Sequence, residues 1–182
     1  STRPHFLGTR VNALSGAIWE RKYELDSLCA CLRLSARYFD TTADPSPFAC
    51  EEWEAAMELV LDTMVEQQKG SDEDSNPVIP IPLGSRPFCL DHLRSLFRGQ
   101  EYEFQRPALE PTDSLAHKVG NPIRRTGLIK SAFRPSDDAT TYRFLVPANA
   151  YAVVSLRQLA ALLRIPVLRK RCPQHPWPLL LW

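Results

Sequence analysis

An apolar stripe from Tyr23 to Asp40 narrows the possible folds of this chain more than any other feature. Leu25, Leu28, Cys29, Leu32, Ala36 and Phe39 recur at steps of three and four residues, the spacing that lines up side chains on one face of an α-helix. Such a face must be buried against a partner. A second helix is expected over Glu51–Gln68, with Trp53, Ala56, Met57, Val60, Leu61 and Met64 along one side. Glu51, Glu52 and Glu54 fall in its first turn, where the helix dipole favours anions. The break between the two is Asp44-Pro45-Ser46-Pro47. Two amphipathic helices joined by a short turn form an antiparallel hairpin, the repeating part of bundles and α/α barrels. The expected class is all-α.

A third helix is expected to start around Pro147, which suits a first-turn position, and to run to about Arg164 with Ala152, Leu156, Leu159, Ala160 and Leu163 on a face. Between the second and third helices the pattern loosens. Lys69–Pro87 is rich in Gly, Ser, Asp, Asn and Pro and reads as a long exposed loop. A short helix at Leu90–Phe97 and a brief strand at Tyr102–Gln105 are weaker expectations. Residues 107–125 carry three prolines and little periodicity, the mark of a loop shaped by its packing. Beyond Ile165, the prolines at 166, 173, 176 and 178 leave no room for a regular helix. The expected organisation is a helical unit over 1–164 with a variable loop at 69–100, then an atypical Pro-rich tail over 165–182.

Composition removes several classes of function. A chain of 182 residues, 44% of them hydrophobic, can close one core, and its length argues against two domains. With 22 basic and 21 acidic residues the net charge is +1, so no overall field draws in nucleic acid. No run of ~18 consecutive apolar residues signals a membrane span. The chain opens at Ser1 without an initiator methionine, so an upstream signal could have been removed and the compartment stays open. The five cysteines, 29, 31, 50, 89 and 172, share no repeated spacing. On a helix, Cys29 and Cys31 point about 200° apart, so buried or free thiols are expected. The four histidines are scattered without an i, i+4 pair, and no zinc site follows. Phosphate-cradling glycine loops and G-x-S-x-G nucleophile elbows are missing from the sequence, which argues against nucleotide and acyl-transfer chemistry.

Carboxylates carry the chemical signal. Hydrolysis of a glycosidic bond needs a protonated acid at the leaving oxygen and a second carboxylate for water or the anomeric carbon. In Arg134-Pro135-Ser136-Asp137-Asp138, a proline-stiffened turn places a cation beside adjacent acids, so that arginine can hold one acid while the other faces a cavity. A capping acid with a salt bridge is the structural alternative. At the start of the first helix, Glu24 and Asp26 can either cap the helix or point at a sugar hydroxyl. Tyr142, Trp53 and Phe133 can stack on a sugar face or fill a core, the expected place for Trp53.

Three blocks resemble glycoside hydrolase family 125, a family of exo-acting α-1,6-mannosidases with an (α/α)6 barrel. They are Glu20–Cys29, then Gly120-Asn121-Pro122 leading into Thr126–Thr140, and Val146–Ala150 with its helix. Residues 14–68 and 101–163 follow the family's order, whereas 70–100 and the end beyond Arg164 do not. The resemblance implies part of an (α/α)6 barrel, with long loops and at most a short β element, and hydrolysis of terminal α-linked mannose with inversion. It makes Asp137 the general acid, with Asp138 the second choice. Arg134, Glu24, Asp26 and Asn149 would bind the terminal mannose or set the acid's protonation. No cofactor or metal is implied, and the partner is a mannose-containing oligosaccharide or glycan. The family's upstream Arg-Asp-Ser element and its general-base glutamate near the C-terminal end have no counterpart here. Twelve barrel helices need about twice this length, so a truncated member is expected, inactive on its own unless another carboxylate substitutes. The alternative is a non-catalytic helical domain that binds carbohydrate or protein.

Overall fold

The structure is a computed structural model and describes residues 22–71 and 108–171. Three long helices dominate: α1 over Leu25–Thr42, α2 over Glu51–Glu66 and α3 over Val146–Leu163, with a short α4 over Pro166–Arg171. Single 3₁₀ turns occur at Ser46–Phe48 and Ala116–Lys118. Among the described residues there is no β-strand, only an isolated antiparallel bridge between Phe133 and Ala139. The expected short helix at 90–97 and strand at 102–105 lie outside the described residues, as does most of the loop at 69–100.

The stripe on α1 is buried as its spacing predicts: Leu25, Cys29, Leu32 and Ala36 face the core. The helix begins two residues later than periodicity suggests, because the Tyr23 carbonyl accepts a hydrogen bond from a remote partner. Phe133 N–H bonds Tyr23 O at 3.1 Å, which keeps the chain extended through Glu24 (φ −132°, ψ 126°). Ala43 ends α1 in the left-handed conformation, its N–H bonding Phe39 O at 2.8 Å, a C-terminal arrangement that satisfies an orphan carbonyl.

Helix α2 returns antiparallel to α1, as the hairpin pattern requires. At the near end, Trp53 Nε1–H donates to Ser35 Oγ at 3.1 Å and the Trp53 ring packs on Phe48. Farther along, Met57, Leu61 and Met64 join Leu25, Cys29 and Leu32 in one core. Beyond the helix end, Gln67 O accepts from Lys130 N–H at 2.8 Å.

Helix α3 runs beside α1 in the same direction. The first turns of both hang on the segment 129–131, through Ser131 on Leu25 and Asn149 on Ile129, while Ala36 and Phe39 meet Gln158, Ala161 and Leu162 at the far ends. By length and composition α3 is apolar enough to cross a membrane. Its face of Ala148, Ala152, Leu159 and Leu162 is nevertheless buried in this fold.

The expectation that no regular helix follows Ile165 is corrected by α4. Pro166 is its first residue, where the missing N–H costs nothing and the fixed φ suits a helix start. Leu168 then packs with Phe48 and Leu162 in a second small cluster.

Candidate functional site

The N-terminal ends of α1 and α3 and the C-terminal end of α2 meet at one end of the molecule, and the segment 129–140 is stitched across them. Ser131 is fully buried. Its hydroxyl accepts from Leu25 N–H at 3.1 Å and donates to Phe133 O at 2.8 Å, capping α1 from 106 residues away. Thr140 Oγ1–H donates to Ser131 O at 2.7 Å, and Thr140 N–H to Ala132 O at 2.9 Å. These bonds place the two acidic blocks of the sequence side by side.

Between Phe133 and Ala139 the chain makes a tight reversal. Arg134 N–H bonds Asp138 O at 2.9 Å and Asp137 N–H bonds Arg134 O at 2.9 Å, with Pro135 at the second position of the turn, where its fixed φ is favourable. Asp137 takes φ +69°, a left-handed conformation that Asp tolerates better than most residues. Ser136 Oγ–H and Arg134 Nη2–H both donate to Asp138 Oδ2 at 2.8 Å. Arginine therefore holds Asp138. Asp137, at the tip, keeps its side chain 68% exposed and meets a different cation, Lys22, whose Nζ donates to Asp137 Oδ1.

Glu24 and Asp26 stand at the start of α1. Glu24 is the N-cap residue of α1, and its side chain engages Ser27, whose Oγ–H donates to Glu24 Oε2 at 2.8 Å. Glu24 Oε1 lies 3.5 Å from Lys22 Nζ. Asp26 sits in the first turn, and its Oδ1 is buried without a hydrogen-bond partner. Burial pushes the Asp26 carboxyl above its ordinary pKa; its own backbone N–H opposes the shift and the Glu24 charge adds to it. A buried acceptor without a donor favours either protonation or an incoming hydroxyl.

Asn149 belongs to the same end but faces inward. Ile129 N–H donates to Asn149 Oδ1 at 2.8 Å, and Asn149 Nδ2–H donates to Ile129 O at 2.9 Å and Leu145 O at 3.1 Å. Both halves of its amide are thus committed to backbone. Among the aromatic residues, Phe133 is fully buried, Trp53 is half-buried against the core and Tyr142 is exposed. Lys22 is the site residue that the sequence reading missed. Extended backbone at 22–24 sends alternate side chains the same way, so Lys22 and Glu24 were pairable from spacing alone, but the contact with Asp137 spans 115 residues.

A family model described as metal-independent α-mannosidase, glycoside hydrolase family 125, matches residues 8–172. The match thus continues past Arg164 and through α4. The meiotically up-regulated gene 157 protein of Schizosaccharomyces pombe is 36% identical over 148 residues, covering 81% of this chain and 26% of that protein. A solved structure of a metal-independent α-mannosidase from Streptococcus pneumoniae, in a non-productive complex with α-1,6-mannobiose, superposes with a TM-score of 0.66. It is 28% identical and covers 93% of this chain and 32% of that one. The chain therefore spans between a quarter and a third of the proteins it matches, and its helices form part of an incomplete α/α barrel.

Proposed function

The chain belongs to the metal-independent α-mannosidase family, glycoside hydrolase family 125, and from that premise we propose that the α1 end is a subsite for terminal α-linked mannose. The reaction is removal of an α-1,6-linked mannose from the end of a glycan, with inversion. One observation carries the reading: the blocks 22–26 and 134–138, far apart in sequence, converge through Lys22, which joins the half-buried Glu24 to the exposed Asp137.

Within this reading Asp137, protonated as the sugar displaces Lys22 from it, gives its proton to the leaving oxygen. It stands at the exposed tip of a turn, while the Asp138 carboxylate is taken up by Arg134 and Ser136. Asp138, held by Arg134 and Ser136, keeps the turn closed and is the second choice for the role. Glu24 and Asp26 accept hydrogen bonds from sugar hydroxyls. The unpartnered Asp26 Oδ1 gains most from a hydroxyl donor, because a lone buried acceptor costs roughly 1–3 kcal/mol. Arg134 fixes Asp138 and leaves its remaining donors to the sugar. Asn149 acts as a strut under the site. An inverting reaction needs its base across the sugar, ~6.5–9.5 Å from the acid, with a water between. Glu24 and Asp137 share one ammonium, too close for sugar and water together, so Glu24 is assigned to binding and not to water activation.

The test is release of mannose from α-1,6-mannobiose, followed by NMR so that the first-formed anomer is seen. Production of β-mannose, reduced ~100-fold or more by Asp137→Asn, is the expected result. Asn is at ease in the left-handed region, so this change removes the acid without straining the turn. No turnover at high protein concentration, with mannobiose still bound, would leave the chain a carbohydrate-binding domain and sink hydrolysis as its function.

A further inference from the structure

Lys22 joins the two blocks but is given no part in binding or proton transfer above, yet more of the site meets at its ammonium than at any other described side chain there. The side chain is only 12% exposed. Its Nζ donates to Asp137 Oδ1, lies 3.5 Å from Glu24 Oε1 and sits 5.8 Å from the centre of the Phe133 ring. An ammonium is a compact charge with three donors on a long stem, able to serve two carboxylates at once. The turn at 134–138 is closed internally by Arg134 and Asp138. The Lys22 contact ties its tip, where Asp137 holds a left-handed backbone, to the start of α1.

We propose that Lys22 is the positioning residue of the site: it fixes the Asp137 carboxyl relative to Glu24, and it retains Glu24 when Asp137 exchanges its cation for a glycosidic oxygen. The role rests on the reading of Asp137 as the acid, but the clamp itself can be measured without turnover. Lys22→Met keeps the stem and removes the charge, whereas Lys22→Arg keeps a cation. Amide hydrogen exchange at Arg134 and Asp137, whose N–H groups close the turn, reports its opening.

The expected result is roughly tenfold faster exchange at these two amides in Lys22→Met, the scale of one lost hydrogen bond to a charged group. Exchange at Leu32 in the middle of α1 should not change, and Lys22→Arg should stay near wild type. In an Asp137→Asn background, Lys22→Met should add little, because the pair has already been broken. Equal exchange at Arg134 and Asp137 in wild type and Lys22→Met overturns the proposal, as does a Met effect that Arg fails to rescue. If the Met variant does not fold, Lys22→Gln is read by the same criteria. Failure of the mannosidase reading is seen separately, as wild-type protein that neither binds nor cleaves mannobiose, and leaves the exchange comparison intact.

Discussion

Asp26 shows most directly how the environment of one residue sets its chemistry. It shares the first turn of α1 with a dipole that favours anions, yet burial outweighs that preference and raises its pKa, with Glu24 pushing the same way. A raised folded-state pKa means that the native protein binds the proton more tightly than the unfolded chain does. The stability this contributes is full below the unfolded pKa and is lost as pH rises through the folded one. Asp26→Asn should therefore flatten the pH dependence over that window and raise the urea midpoint at pH 7 relative to wild type. An unchanged slope would mean that Asp26 is solvated. Lys22 illustrates the opposite case. The sequence reading assigns it no role, because what gives it one is a turn 115 residues away. Arg134 and Asp138 are four residues apart; the sequence sets a cation beside two adjacent acids there, and the structure shows which of them Arg134 holds.

At the scale of the element, what could be read depended on whether neighbours or distant residues made the decision. The stripe on α1 and the acidic first turn of α2 are local patterns, and the helices form where those patterns lie. The start of α1 is not local: Tyr23 and Glu24 are held extended by Phe133 and by the Ser131 cap. Pro166 was read as a breaker because proline excludes helix interiors, but at a first position it begins α4 instead. Helix α3 depends on a side chain that the family resemblance placed among sugar ligands. Asn149 replaces the missing strand partner of Ile129, supplying both its donor and its acceptor. Asn149→Ala leaves buried backbone groups at Ile129 without partners, so a loss of about 2–3 kcal/mol is expected. Urea unfolding measures it, and a change below ~0.5 kcal/mol would show that water replaces the amide.

For the whole molecule, the three long helices and the segment 129–140 form one core around Leu25, Leu32, Phe133 and Leu159. That core holds the site's walls in place although the chain spans 26% of one relative and 32% of another. Leu34, Tyr38, Val153 and Val154 stay exposed on α1 and α3, faces that a longer barrel would have room to cover. The central claim is that the end where α1, α3 and the 134–138 turn meet is a mannoside subsite, and binding tests it without requiring a complete catalytic pair. Titration of the ¹⁵N-labelled chain with α-1,6-mannobiose is the direct measurement. Saturable shifts at the amides of Glu24, Asp26, Asp137 and Asp138, absent when maltose is used, are predicted. Silence at these four amides up to about 10 mM sugar, where even a millimolar affinity is saturated, would contradict it, as would shifts confined to the opposite ends of α1 and α3.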